Sequence, residues 1–193
     1  MKLGCVIMAA GSSSRFGANK LLQEFRGKPL FRWALEAVPE NLFCRVHVVT
    51  GYDAVAEAAR TLGFSVICNR QPELGVSRTI RLGLEGLTDC DGVMFLTADQ
   101  PLLSQETPQK LAAAFAQQPG IWAAANHGSR GNPCLFPRDL FPELLALTGD
   151  TGGARVIKAH PDLLHLVEVP AEELADCDTA EALRTLEERV HHL

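Results

Sequence analysis

The stretch VIMAAGSSSRFGANKLL, Val6 to Leu22, puts two glycines, three serines, an arginine and a lysine directly behind an apolar run that begins at Leu3. Glycines behind a first strand let backbone N–H groups approach anionic oxygens, and a following helical turn adds a favourable dipole. Gly11 to Lys20 therefore reads as an anion-binding loop carrying two cations, Arg15 and Lys20. A polar surface turn is the plainer alternative.

Spacing removes two familiar versions of such a loop. The P-loop needs four residues between its glycines and then Lys-Ser/Thr, whereas five separate Gly11 from Gly17 and Ala18-Asn19 precede Lys20. The dinucleotide fingerprint G-x-G-x-x-G fails because Ser12-Ser13-Ser14 follow Gly11.

Outward from the loop, short β-branched-rich runs recur: LGCVIMAA, RVHVVTG, SVICN and GVMFLTAD. They read as buried parallel strands. Between them, PLFRWALEAV opens on Pro29, YDAVAEAARTL stops at Gly63, and VSRTIRLGLEGL aligns Val76, Ile80, Leu84 and Leu87 on one helical face. Four alternations of strand and helix predict right-handed crossovers, a mostly parallel sheet with helices on both faces, and a crevice at the carboxyl ends of the strands. SQETPQKLAAAFAQQ then predicts a helix starting near Ser104 and Gln105. IWAAA, NPCLFP, LFPELLAL, LLHLVEVP and a helix from about Thr179 complete a less regular second half with room for an antiparallel strand. No linker or repeat divides residues 1–193, which are expected to form one α/β domain of three layers, Rossmann-like in design.

Composition narrows the function. The chain is 47% hydrophobic and 21% charged with a formal net charge of −5, so it offers no basic field for nucleic acid or an anionic membrane. An anionic ligand must find a local positive pocket. Cys5, Cys44, Cys68, Cys90, Cys134 and Cys177 show no C-x-x-C spacing and are expected to be reduced, non-ligating thiols in the cytoplasm. The amino end fits neither an export signal nor a membrane span.

Asp99, at the end of GVMFLTADQP, has the position of a metal ligand in the crevice, although a strand-end aspartate also caps helices. Asp178 in DCDTAEAL, with Asp176 behind it, stands at a helix start, where carboxylates satisfy free N–H groups and oppose the dipole. None of the six histidines joins a metal-ligand pattern, and no G-x-S-x-G elbow marks a nucleophilic serine.

Taken together, the loop resembles the A-A-G-x-S-x-R-x-G-x-x-K signature of the MobA-like nucleotidyltransferases, especially their molybdenum cofactor cytidylyltransferase branch. The resemblance continues in order through Gly75 and Ser77, TADQP (Thr97–Pro101), GNPCLF from Gly131, LTGDTGGAR from Leu147 and DCDTAEAL from Asp176. It implies the nucleotidyltransferase version of the Rossmann-like fold. It places Ala9, Ala10 and Gly11 beside the base or ribose, Ser12, Ser13 and Ser77 in the nucleotide site, Arg15 and Lys20 on the phosphates, and Gly131, Asn132, Asp150 and Arg155 toward the acceptor. Gly153 is extra beside the usual G-A-R, which loosens the match at Arg155. An arginine near a helix start, like Arg78 and Arg81, is also commonly a solvated side chain.

The resemblance implies magnesium, with manganese as the alternative, on Asp99 and Asp178. It implies CTP and a molybdopterin-type molybdenum cofactor as substrates and a molybdenum hydroxylase as client. The protein is expected to be a monomer or weak homo-oligomer with no nucleic-acid or membrane partner. A substrate phosphate is already a nucleophile, so positioning and charge neutralisation carry the chemistry, with Arg15, Lys20 and Asp99 as the catalytic groups. Ala9-Ala10-Gly11, where the guanylyl branch carries A-G-G, favours CTP because the Ala10 methyl narrows the base pocket. GTP, another phosphorylated acceptor, or a non-catalytic chaperone for the cofactor are the alternatives.

Overall fold

The computed structural model describes residues 1–11, 19–177 and 179–190. Strand β1 (Leu3–Ala9) is followed by a short hairpin of β2 (Glu24–Phe25) and β3 (Lys28–Pro29), then helix α1 (Leu30–Glu36). β4 (Arg45–Thr50), α2 (Asp53–Thr61), β5 (Ser65–Cys68), α3 (Val76–Leu84), β6 (Gly92–Thr97) and α4 (Glu106–Gln117) continue the alternation. The second half contains β7 (Ile121–Asn126), β8 (Ser129–Pro137), α5 (Phe141–Leu145), α6 (Ala154–Ala159), β9 (Leu164–Glu168) and α7 (Ala180–Val190).

Seven strands form one sheet in the order β5-β4-β1-β6-β8-β7-β9. The first four are mutually parallel, β8 runs antiparallel to both β6 and β7, and β9 is parallel to β7. Because β1 continues into β4 on one side while β6 lies on its other side, the chain reverses its winding between β1 and β6. That is the switch point at which a crevice opens beyond the strand ends.

Alternation along β1 sends its side chains to two cores. Leu3, Cys5 and Ile7 join residues of α1, α2 and α4 on one face, while Val6 joins α3, α5 and α6 on the other. This is the mostly parallel three-layer α/β fold expected from the sequence. A third cluster packs α7 through Leu183 and Leu186 on Phe25 and Leu30. Gly83 allows α3 to lie close to β1: a Cβ there would sit 2.4 Å from Val6 Cγ1.

Two details differ from expectation. β5 is the sheet's edge, so Ser65 and Cys68 are exposed rather than buried. Ser104 does not cap α4. Its hydroxyl and backbone N–H donate to Glu173, at 3.0–3.1 Å, and Thr107 donates to the same carboxylate at 2.8 Å. All six cysteines are free thiols. Burial pushes the Cys134 thiol upward, and that of Cys90 to about 11. Among the described residues, no helix is long and apolar enough to cross a membrane.

At the amino ends of the parallel strands, opposite the crevice, Asp89 is bonded by Lys2 and Arg45. The Lys2 hydrogen bond, then that of Arg45, holds its carboxyl at about 2, below its ordinary 3.8. A depressed carboxylate contributes stability above its unfolded pKa and loses it as pH falls toward the folded value. Thermal unfolding followed from about pH 5 to pH 2 should therefore fall more steeply for wild type than for Asp89→Asn. Parallel curves would contradict this role.

Candidate active site

β1 and β6 pair in parallel with Met8 opposite Thr97, so the residues just beyond them, Ala10-Gly11 and Ala98-Asp99, emerge side by side. They form one rim of a cleft of about 290 Å³, which Lys20, Pro72, Gly75, Thr79 and Asp150 help to enclose. The loop is held from two sides. Tyr52 donates its phenolic hydrogen to the Gly11 carbonyl at 2.7 Å, and Asn19 Oδ1 accepts from the Leu21 N–H at 3.1 Å, capping the short turn Lys20–Leu22.

In this cleft Lys20 Nζ lies 2.5 Å from Asp99 Oδ2, with the two side chains only 14% and 16% exposed. The other oxygen, Oδ1, is buried with no hydrogen-bond partner among the described residues. An unmatched buried carboxylate oxygen is costly unless something binds it. It is the feature a hard cation would satisfy. Among the described residues no three His, Cys, Asp or Glu side chains gather. A cation here would draw its remaining ligands from water and ligand phosphates, as magnesium ordinarily does.

The α3 entrance joins two distant motifs. Gly75 has φ +89°, and a Cβ on it would stand 2.3 Å from the Gly149 carbonyl, so only glycine fits. Across that contact Ser77 N–H donates to Gly149 O at 3.3 Å, and Asp150 Oδ1 accepts from Val76 N–H at 3.4 Å. The first donors of α3 are thereby occupied by protein. Asn69, at the end of β5, bonds Thr79, Arg78 and the Gln71 backbone.

A second cleft of about 390 Å³ adjoins the first and shares Met8, Val76 and Thr97 with it. Phe95 and Phe136, edge to face at 5.9 Å between ring centroids, contribute to its walls with Ile80, Leu144 and Ile157, while Arg130, Asn132 and Asp176 supply most of its polarity. Buried Gln100 links the clefts: it accepts from Thr97 Oγ1 at 3.0 Å and donates to the Asn132 carbonyl at 3.4 Å. Cys177 N–H donates to the Asp99 carbonyl at 3.0 Å, tying the carboxy-terminal segment to the same turn.

The sequence-derived residues divide as follows. Ala10, Gly11, Lys20 and Asp99 share the first cleft, and Gly131 and Asn132 line the second. Asp99 stands two residues past the end of β6, which closes at Thr97. Ala9 is buried at the end of β1. Ser77 is fully buried, its hydroxyl unpartnered among the described residues and outside the cleft wall. Asp150 lines the first cleft and accepts from the α3 entrance at Val76 N–H. Arg155 is exposed because Val156 and Ile157 take the buried face of α6. Ser12, Ser13, Arg15 and Asp178 lie outside the described residues. Thr179 Oγ1 accepts from Ala182 N–H at 3.0 Å and so caps α7. Tyr52, Asn69, Thr79, Gln100 and Arg130 did not stand out in the sequence. Their motifs are single polar residues in ordinary strand-end or helical contexts.

A crevice at the switch point of a mostly parallel sheet, with a lysine and an aspartate paired inside it, defines an α/β protein of the doubly wound class. The MobA-like NTP transferase domain matches residues 5–164, and the chain belongs to that family. Among curated relatives, the bifunctional protein GlmU of Azoarcus sp. (strain BH72) is 35% identical over 112 residues, 56% of this chain and 25% of that protein. The 3-deoxy-manno-octulosonate cytidylyltransferase of Bdellovibrio bacteriovorus is 30% identical over 120 residues, 62% of this chain and 48% of that protein. The matched segment thus spans a quarter to about half of these relatives. The crystal structure of Rv0371c from Mycobacterium tuberculosis H37Rv has the same fold, with a TM-score of 0.83 at 24% identity over 97% of this chain and 98% of that one.

The Lys20–Asp99 contact is a nearly buried pair, in which removing one partner strands the other. Lys20→Met and Asp99→Asn should each lower the unfolding free energy in urea, by about 1–3 kcal/mol, and the double variant should lose less than the sum. Strict additivity would show that the two groups are not coupled.

Proposed function

We propose that the protein transfers CMP from CTP to the terminal phosphate of a molybdopterin-type molybdenum cofactor and releases pyrophosphate. The observation that carries this reading is the pair of adjoining clefts sharing Met8, Val76 and Thr97 beside the Lys20–Asp99 contact. One cleft suits a nucleoside triphosphate and the other a phosphorylated acceptor brought up to it.

Support for each substrate comes from the lining. Ala10 lines the first cleft, where a methyl in place of glycine leaves less room for a purine, and one relative is itself named a cytidylyltransferase. The second cleft is mostly apolar and partly aromatic, a surface that favours a flat heterocycle such as a pterin over a sugar that needs many hydrogen bonds.

In this mechanism Gly11 and Lys20, with Arg15 outside the described residues, hold the triphosphate by backbone N–H groups and positive charge. Lys20 exchanges its carboxylate partner for phosphate oxygens as the nucleotide enters. Asp99, together with Asp178, would hold magnesium or manganese. Bound there, the ion would neutralise charge on the α-phosphoryl group and the leaving pyrophosphate. Asn132 and Gly131 orient the acceptor, whose phosphate oxygen attacks the α-phosphorus in line. The bond to the β-phosphate bridging oxygen breaks, and pyrophosphate leaves with that electron pair. Because the nucleophile is already an anion, no general base is required.

The test is pyrophosphate release with the molybdenum cofactor, magnesium and each of CTP, GTP and ATP. CTP should support the fastest release, and Asp99→Asn should lower it by at least ~100-fold while far-UV circular dichroism stays that of wild type. Faster release with GTP would contradict the base assignment. Release with none of the nucleotides would leave a handover protein for the cofactor.

A further inference from the structure

We infer that Thr79 is a specificity-determining residue: its hydroxyl donates a hydrogen bond to an acceptor atom on the edge of the bound cytosine. The inference rests on the CTP reading and adds to it the group that reads the base.

The direction of the Thr79 hydroxyl follows from Asn69, which is 1% exposed. Asn69 Oδ1 accepts from the Gln71 backbone N–H at 3.1 Å and from Arg78 Nε at 3.2 Å. Both partners can only donate, so the amide cannot be turned end for end. Its NH2 group therefore faces Thr79 Oγ1, at 3.1 Å, and NH2 also can only donate. Thr79 oxygen is consequently the acceptor, and its single hydrogen is left to give elsewhere. Among the described residues no acceptor takes it. Thr79 is 6% exposed and lines the first cleft, so the acceptor must come from whatever fills that cleft.

The position of Thr79 points to the base rather than the triphosphate. Phosphates are drawn to Lys20 and Gly11, beyond β1 and β6. Thr79 belongs to the α3 wall with Pro72 and Gly75, and Asn69 anchors it to the end of β5, two strands away from β1 in the other direction. The N–H groups of Val76 and Ser77, which would otherwise attract a phosphate to this wall, are already occupied by Asp150 and Gly149. A neutral donor fixed by a buried amide suits a neutral acceptor, and cytosine offers two, O2 and N3. A base edge presenting an amino group there would meet donor against donor, and a site built this way rejects such a partner.

Binding of CTP, 2-thio-CTP, 3-deaza-CTP and 2′-deoxy-CTP to the full chain with magnesium, measured by calorimetry, tests this. Thr79→Val should weaken CTP about tenfold, and Thr79→Ser should restore it to within a few-fold. In wild type one of the two base analogues should lose about the same factor, while in Thr79→Val that analogue should lose nothing further. This non-additivity separates a direct contact from a shift of the wall, which would weaken every nucleotide alike. Equal CTP affinity in wild type and Thr79→Val, or additive losses, would overturn the inference and leave the CTP reading standing. A loss that vanishes with 2′-deoxy-CTP would move the contact to the ribose and overturn it too. Failure of wild type to bind CTP at all would overturn both.

Discussion

Lys20 and Asp99 meet across the gap between the ends of β1 and β6, and the rest of the site is arranged around that contact. The sheet makes the gap by reversing its winding between these strands, which brings two turns together with no strand between them. Charge adds to this: in a net-negative chain a lysine largely withdrawn from water stands against a carboxylate. That carboxylate then has one oxygen committed to the lysine and one without a partner among the described residues. In the proposed function the pair is the resting state that the nucleotide and its divalent ion replace.

Glycine at close contacts shapes the walls around this pair. Gly83 lets α3 settle on β1, and Gly75 lets the α3 entrance touch the Gly149–Asp150 turn. A Cβ at either position would have to push backbone or a β-branched core side chain aside. The consequence is functional, since α3 carries Val76, which borders both clefts, and Thr79, which borders the first.

The parallel half of the fold was legible because its strands are continuous apolar runs and its helices carry a clear apolar face, as in VSRTIRLGLEGL. The edge position of β5 was not, since SVICN looks the same whether one or two strands flank it. Lys20 and Asp99 were singled out from a glycine-rich turn and a strand end, and the fold brings the two together in the first cleft because those segments follow neighbouring strands. The contact of Asp150 with the α3 entrance was not legible because its partner, the Val76 N–H, lies 74 residues away in sequence. Thr79 and Gln100 were silent for the same reason. Their importance lies in which atoms donate and which accept across distant segments, and neither residue type announces that in a linear pattern.

The central claim is that the polyphosphate and its cation both sit at the Lys20–Asp99 contact. Crystals grown with CTP and manganese, with data collected at the manganese absorption edge, measure this directly. The account predicts an anomalous peak within coordination distance of Asp99 Oδ1, with the triphosphate against Gly11 and Lys20. A peak elsewhere, or a triphosphate lodged in the cleft of Phe95 and Phe136, would contradict it.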